Sequence, residues 1–94
     1  MEITPLSDFQ IAETQTFQKA KTKLDDKLYK KITNIAYPQL RINPFFGHNI
    51  KKLKGEFEGV YRYRFGNYRL FYTIEKEKII VAILDIKHRQ KAYD

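Results

Sequence analysis

Arginines recur within one short segment of this chain at a spacing that could build an anion site. Arg62 and Arg64 flank Tyr63, and Arg69 follows a few residues later. Because successive side chains of a β-strand point to opposite faces, Arg62 and Arg64 would share one face of a strand. A guanidinium group presents a planar set of donors and keeps its charge, so several of them on neighbouring strands would form a rigid anion site.

A hairpin around Gly66-Asn67 would hold these arginines in place. A glycine-first pair suits a two-residue hairpin loop, and the residues on both sides alternate along the chain. One face would carry the aromatic and apolar side chains: Tyr61, Tyr63, Phe65, Tyr68, Leu70 and Tyr72. The other face would carry the arginines together with Phe71 and Thr73. We assign most of the aromatic side chains to packing.

Composition limits the class of protein. The chain has 94 residues, no cysteine and a net charge of +7, from 18 Lys and Arg against 11 Asp and Glu. We expect one domain over residues 1–94, no disulfide or thiolate metal site, and neither a membrane span nor a signal peptide. A cytoplasmic location fits these features. The basic excess is concentrated in residues 51–94, which favours a polyanionic partner, although a basic soluble domain would look the same.

The N-terminal half of the chain predicts one strand followed by two helices. Residues 1–6 are interpreted as a short edge strand, and apolar spacing predicts a first helix over about 8–22. A second helix is predicted over about 25–36. Pro38 would either kink it or open a further turn through Leu40.

A connector over residues 42–50 separates the helices from the strands. We expect Phe45 and Phe46 to tuck under the helices and His48 to be a loop residue. After the hairpin, the nearly unbroken apolar run Ile79–Ile86 predicts a central strand. The predicted fold is α+β with the order β-α-α-β-β-β. An N-terminal strand and an antiparallel helix pair would pack on one face of a mainly antiparallel four-stranded sheet.

Four motifs resemble the RelE/ParE family of toxins from type II toxin–antitoxin systems. They are Lys52-Leu53-Lys54-Gly55, Tyr61-Arg62-Tyr63-Arg64, Gly66-Asn67-Tyr68-Arg69-Leu70-Phe71-Tyr72 and His88-Arg89-Gln90-Lys91-Ala92-Tyr93. Their order fits that family over essentially the whole chain. RelE-type members cut messenger RNA in the ribosomal A site, ParE-type members poison DNA gyrase, and a cognate antitoxin silences the toxin.

The resemblance to the RelE-like branch implies a set of site residues. The catalytic ones would be Arg62, Arg64, Arg69, Arg89 and Tyr93. The RNA-binding ones would be Lys51, Lys52, Lys54, Lys87, His88 and Lys91. The best-known nuclease of the family has lysines at the two hairpin positions, whereas arginine stays protonated and is a poor general base. Either an arginine acts only by charge, or the proton acceptor is Tyr93, His88 or the ribosome.

The resemblance therefore implies a metal-independent endoribonuclease that cleaves mRNA at the ribosome through its 2′-hydroxyl and uses no cofactor. Expected partners are mRNA, the ribosome and a cognate antitoxin, the last in a heterotetramer or another toxin–antitoxin assembly, with no membrane. The alternatives are a ParE-type inhibitor that binds gyrase, and a catalytically weak relative. The arginines could also be a solvated strand face, with Arg69 paired to Asp85.

Overall fold

A five-stranded sheet and the helices on one of its faces make up residues 8–88, which are the residues that the computed structural model describes. The elements are β1 (Gln10–Glu13), α1 (Gln15–Lys21), α2 (Asp26–Lys31), a π turn (Ile32–Ala36), α3 (Tyr37–Ile42), β2 (Ile50–Lys52), a 3₁₀ turn (Gly55–Phe57), β3 (Tyr61–Phe65), β4 (Tyr68–Glu75) and β5 (Ile80–His88). The predicted α+β class is confirmed, but residues 8–88 hold five strands where three were predicted, since β1 and β2 were not foreseen and the fourth predicted strand falls in residues 1–6. β2 comprises the last residue of the connector predicted over 42–50 and the two lysines that follow it.

The strands lie in the order β1-β5-β4-β3-β2. β1 runs parallel to β5, and the other neighbours are antiparallel, as predicted for a mainly antiparallel sheet. β5 lies between β4 and β1, so the apolar run that predicted a central strand occupies the interior of the sheet. Both faces of β5 can therefore be covered, which explains its lack of alternation.

The prediction of a helix from residue 8 was wrong at its start. Residues 10–13 form β1, which pairs with β5 so that Ile11 opposes Val81. This segment also alternates in burial, and pairing with a strand far along the chain selects the strand over the helix. α1 begins after Thr14, whose Oγ1 accepts from Phe17 N at 3.2 Å and donates to the carbonyl of Ile83 at 2.7 Å. The strand predicted over 1–6 lies outside the described residues.

The second helix continues past its predicted end. Asp25 caps α2 by accepting from Leu28 N at 2.7 Å, and the helical path then passes through the π turn into α3, which ends at Ile42. Pro38 lies at the start of α3, where its missing N–H is tolerated, so the further turn predicted there is confirmed. Within the π turn, Ile32 and Ala36 are buried, whereas Ile35 is 50% exposed.

The core lies between the helices and one face of the sheet. Fully buried side chains on the helical side are Phe17, Ile32, Ala36 and Leu40, and those on the sheet are Leu70, Tyr72, Val81 and Ile83. Phe45 joins this layer through edge contacts with Phe9 and Tyr61, as predicted. Phe46 is 78% exposed instead. The backbone N–H groups of Phe45 and Phe46 both donate to the side-chain oxygen of Asn43, which turns the chain at this point.

No helix within residues 8–88 is long and apolar enough to span a bilayer.

Candidate functional site

The hairpin that carries the arginines forms as the sequence predicted. β3 and β4 are joined by Gly66-Asn67, and Gly66 takes a φ of 60°, which side chains rarely adopt. The turn fixes the register, so that Phe65 opposes Tyr68 and Arg64 opposes Arg69. A short local signal thus determines which side chains face one another across the strands.

The sheet face opposite the helices carries the arginines, and we call it the arginine face. On β3, Tyr63 packs into the core, so its neighbours Arg62 and Arg64 point to the opposite face. On β4 the same alternation sends Arg69 and Phe71 to the arginine face. The three hairpin arginines that sequence reasoning selected therefore lie on one surface.

Three cations stand in direct register across three strands. Arg64 of β3 opposes Arg69 of β4, and Arg69 in turn opposes Lys87 of β5; we call these three residues the cation row. Directly opposed residues of antiparallel strands have Cα atoms about 4.5–5.5 Å apart, and like charges at such positions are destabilising. An anion bound over the row would relieve this repulsion.

A second set of residues lies one step further from the hairpin turn. Arg62 opposes Lys51 on β2 and Phe71 on β4, and Phe71 opposes Asp85 on β5. Lys51 thus lies on the arginine face, and its role in RNA binding stays a prediction.

Two of the arginines are almost covered. Arg62 is 8% exposed and Arg69 is 7% exposed, whereas Arg64 is exposed. A guanidinium group keeps its proton inside proteins, so these are buried positive charges whose desolvation costs free energy. One Nη of Arg69 donates to the carbonyl of Tyr68 at 3.4 Å, which helps to orient the group at the centre of the row.

Asp85 lies at the β5 end of this surface. One of its carboxylate oxygens accepts from Ile86 N at 2.8 Å, and the other lies 4.0 Å from the Nζ of Lys87. Asp85 is in direct register with Phe71 and lies diagonally across from Arg69 on the same face, so the pairing of Asp85 with Arg69 stays a prediction. Lys87, chosen from the sequence only as an RNA-binding residue, belongs to the cation row itself.

An apolar groove of about 200 Å³ lies beside the cation row. Its lining residues are Leu53, Phe57, Val60, Phe71, Leu84, Asp85 and Lys87. A β-bulge in β5 helps to form it: Phe71 opposes Asp85 and Tyr72 opposes Ile83, which leaves Leu84 as the extra residue. Sequence reasoning missed this groove because an unbroken apolar run carries no mark of a bulge.

Three predicted RNA-binding residues lie away from the cation row. Lys52 opposes Tyr61, and His88 opposes Tyr68 with ring centroids 5.3 Å apart, so both belong to the helix side of the sheet. Lys54 precedes the 3₁₀ turn in a loop. Arg89, Lys91 and Tyr93 lie outside the described residues, and their roles stay predictions.

The buried tyrosines of the hairpin serve the core. Tyr63 donates its hydroxyl to the side-chain oxygen of Gln39, and Tyr72 donates to the carbonyl of Pro44 at 2.7 Å. Burial raises the pKa of both phenols, and for Tyr72 the neighbouring Tyr61 adds to the effect. They therefore stay protonated and do not act as proton acceptors. Within residues 8–88 no three His, Asp or Glu side chains gather as metal ligands would.

These features define a class: a small, basic α+β domain that concentrates fixed positive charge on one sheet face. A family model described as the ParE toxin of the type II toxin–antitoxin system parDE matches residues 7–93. The chain belongs to this toxin family of the RelE/ParE superfamily, which confirms the resemblance seen in the motifs.

Solved toxin structures share the fold. A chain of the RelBE2 toxin–antitoxin complex from Mycobacterium tuberculosis superposes with a TM-score of 0.78 at 29% identity, covering 87% of this chain and 99% of that one. The RelE–RelB complex from Pyrococcus horikoshii gives 0.71 at 24% identity, over 90% and 99%. Isolated Escherichia coli RelE gives 0.71 at 19% identity, over 89% and 87%. No curated relative is similar enough in sequence to extend the comparison.

Proposed function

We propose that this toxin is a metal-independent endoribonuclease that cleaves mRNA at the ribosome. The observation that carries the proposal is the cation row, in which Arg64, Arg69 and Lys87 oppose one another directly. A fold that served only as a soluble scaffold would gain stability by separating these charges. Their position on one surface, where Arg69 is nearly buried and the nearly buried Arg62 lies beside the row, supports a site that holds a phosphodiester.

The chemistry that suits this row is attack by the neighbouring 2′-hydroxyl on the scissile phosphorus. The attack forms a 2′,3′-cyclic phosphate and breaks the bond to the 5′-oxygen, which leaves and takes up a proton from water, while a base accepts the 2′-hydroxyl proton. The phosphorus becomes five-coordinate and its oxygens gain negative charge, so cations fixed there stabilise the transition state more than the ground state. Arg69 is the central member of the row and is nearly buried, so we assign it the main contact to the phosphoryl oxygens. Arg62 and Arg64 would stabilise the same charge from β3.

Proton transfer requires a group other than these arginines. Arginine cannot readily accept a proton, so Arg62, Arg64 and Arg69 act by charge. His88 lies on the helix side of the sheet beside Tyr68, which disfavours it as the base. We assign the proton acceptor to Tyr93 or to the ribosome, and we assign phosphate binding to Arg89. Tyr93→Phe separates the two acceptors, because only a catalytic phenol would lose activity on this change.

A cognate antitoxin is the proposed protein partner. Several of the matching solved structures are described as toxin–antitoxin complexes, among them RelBE2 and RelE–RelB. By analogy, the antitoxin would cover the arginine face with an acidic segment and could organise the toxin into a heterotetramer. The toxin itself would act in the cytoplasm, where ribosomes and mRNA meet.

Purified ribosomes programmed with mRNA provide the direct test. The toxin is expected to produce new mRNA 5′ ends at codons in the A site, and Arg69→Ala is expected to lower the cleavage rate by about 10²–10³-fold, the usual loss for a charge-stabilising group. Lys78→Ala is the matched control, because Lys78 is exposed in the β4–β5 turn at the other end of these strands. Intact mRNA in cells that nevertheless arrest would refute the nuclease proposal.

Gyrase inhibition is the second candidate, because the matching family model carries the ParE description. An inhibitor of this kind acts by binding and performs no bond cleavage. Supercoiling assays with purified gyrase separate the two functions: a nuclease leaves supercoiling unchanged at concentrations that cut ribosome-bound mRNA. Inhibited supercoiling with uncut mRNA would select the gyrase function instead.

A further inference from the structure

We propose that Phe46 is a stacking platform for a base of the same RNA strand whose phosphate lies at the cation row. The platform is on the helix side of the sheet, beside β2, the last strand in the sheet order, and is therefore separate from the arginine face. The inference rests on the proposed function, since it requires an RNA phosphate at the cation row. It adds a second contact that would hold the strand in position.

Phe46 is an aromatic side chain that the loop after α3 holds out of the core. It is 78% exposed, whereas the preceding Phe45 packs against other aromatic rings. The side-chain oxygen of Asn43 accepts from the backbone N–H groups of Phe45 and Phe46, at 3.0 and 3.3 Å, and so fixes the turn between them. A large apolar ring left in water forgoes the free energy of burial, which a ligand that covers the ring would recover.

A cavity of about 370 Å³ lies beside this ring. Its lining residues are Phe45, Phe46, Gly47, Ile50, Lys52 and Tyr61. The volume falls within the roughly 300–1,000 Å³ of small-molecule sites, which leaves room for one base and its sugar. Stacking on an aromatic ring tolerates any base, so the platform would bind RNA without a sequence preference.

The charge around the cavity suits a phosphate backbone. Lys52 lines the cavity, and none of the described residues in the lining is acidic. Lys51, the neighbour of Lys52 on β2, lies on the arginine face, because successive side chains of a strand alternate. The two lysines thus extend positive charge around the β2 edge, from the arginine face to Phe46. This charge is complementary to a polyanion that passes from one face to the other.

The platform adjoins the cation row along this edge. The backbone N–H of Arg64, a member of the row, donates to the carbonyl of Asn49 at 2.8 Å, so the segment that follows Phe46 runs directly beside Arg64. A turn closed by a 3.1 Å hydrogen bond from Ile50 N to the carbonyl of Gly47 keeps Phe46 near the same edge. An RNA strand with a phosphate at the row would therefore pass Arg64 and place the base of a nearby nucleotide on Phe46.

A protein helix is the competing occupant of this surface. Ile42, at the end of α3, is also apolar and is 73% exposed. A docked amphipathic helix would need several apolar contacts and would use Ile42 together with Phe46. A stacked base needs only the flat ring of Phe46 and a cation for its phosphate, which Lys52 supplies. The charge around the cavity favours the RNA, and Ile42 provides a matched control.

Uncleavable 2′-O-methyl RNA of two lengths tests the platform. A dinucleotide carries one internucleotide phosphate and can occupy the cation row alone, whereas an oligomer of about eight nucleotides, within the usual site sizes for single strands, can also reach Phe46. Phe46→Ala should lower the affinity for the longer oligomer by about 5- to 150-fold, the range for loss of one base stack, and leave that for the dinucleotide unchanged. Ile42→Ala should change neither affinity.

Three results would overturn the platform. They are an unchanged affinity of Phe46→Ala for the longer oligomer, an equal loss for the dinucleotide, and an equal loss in Ile42→Ala. Unchanged RNA affinity together with weaker binding of the cognate antitoxin in both alanine variants would assign the surface to the protein partner instead. Because both side chains are largely exposed, neither variant should lose its fold.

A fluorescent reporter locates the stacked base, because the chain contains no tryptophan. In Phe46→Trp the indole keeps a stacking surface, so the longer oligomer should bind about as tightly as it binds the parent chain and should quench the emission. Ile42→Trp places the same reporter at an exposed position outside the cavity, where its emission should persist. Quenching at both positions, or at neither, would contradict a base stacked on residue 46.

These measurements separate failure of the platform from failure of the proposed function, since binding of uncleavable RNA needs neither ribosomes nor cleavage. A chain that binds the longer oligomer through Phe46 but leaves ribosomal mRNA intact would keep the platform and lose the nuclease proposal. A chain that cuts ribosomal mRNA, with the same cleavage rate and oligomer affinity in Phe46→Ala as in the parent, would keep the nuclease and lose the platform. A parent chain that does not bind the longer oligomer would also overturn the platform, whatever the cleavage assay gives.

Discussion

In the cation row, the charge of a single side chain is expected to help activity and to lower the stability of the fold. Arg64 lies directly opposite Arg69, so the two positive charges repel each other. Because Arg64 is exposed, its side chain contributes little packing to offset this repulsion. Glutamine at this position would keep much of the side chain and remove the charge. The residue that helps the chemistry is therefore expected to be one that the fold would be more stable without.

Arg64→Gln should raise the free energy of unfolding and lower activity at the same time. We expect a gain of about 0.2–1 kcal/mol from relief of a like-charge cross-strand pair, which raises the melting temperature by a few degrees. Ribosome-dependent cleavage should fall by about 10²-fold. Thermal unfolding and a cleavage time course measure the two effects.

The matched change Lys78→Gln also removes one positive charge, but from the β4–β5 turn, and it should affect neither quantity. A destabilised Arg64→Gln would show that the row is already neutralised within the protein. That result would remove the physical argument for a bound anion.

At the scale of elements, one carboxylate ties β1 to the helices. Glu13 ends β1 and accepts from the hydroxyls of Tyr29 on α2 at 2.6 Å and Tyr37 on α3 at 2.8 Å, and from the Nζ of Lys21 on α1 at 3.1 Å. Burial alone would raise the pKa of Glu13, but hydrogen bonds from Tyr29, Tyr37 and Lys21 outweigh it and hold the pKa below its ordinary 4.5. The ionised form thus stabilises the edge of the sheet.

The sign of this shift predicts acid sensitivity. Because the pKa of Glu13 is lower in the folded state, its contribution is complete above pH 4.5 and is lost as pH falls through the folded-state pKa. Glu13→Gln should therefore cost about 1.5–3 kcal/mol at pH 7, the range for hydrogen bonds to a charged group, and progressively less below pH 4.5. Chemical denaturation at a series of pH values measures the difference.

Glu56→Gln serves as the control, because this exposed carboxylate should leave the pH dependence of the parent chain in place. A Glu13→Gln deficit that stayed constant down to pH 3 would contradict the assignment of the acid sensitivity to this carboxylate.

The elements also differ in how far sequence alone predicts them. The hairpin and its arginine face followed from local chemistry, since a Gly66-Asn67 turn and strict alternation leave little choice of register. β1 could not be predicted from local sequence, because this four-residue segment becomes a strand only by pairing with β5, far along the chain. The bulge at Leu84 is equally non-local, so the position of Lys87 in the cation row could not be derived from the sequence.

For the whole molecule, the question is whether a net charge of +7 or its local arrangement governs RNA binding. General attraction depends on total charge and is screened by salt over about 10 Å at 0.1 M. Phosphate contacts at a defined site release counterions instead, and each one adds about −0.7 to the slope of log affinity against log salt for single strands. The slope therefore distinguishes a site from a diffuse basic surface.

Arg64→Gln and Lys78→Gln lower the net charge by the same amount, so the pair separates the two explanations. With a single-stranded RNA that carries 2′-O-methyl groups and cannot be cleaved, the parent chain should show a slope near −2, as about three contacts would give. Arg64→Gln should make the slope less negative by about 0.7, because one phosphate contact is lost. Lys78→Gln should keep the parent slope, since Lys78 lies at the far end of β4 and β5 from the cation row. Equal changes in the two variants would mean that overall charge drives binding and that the cation row is not a phosphodiester-binding site.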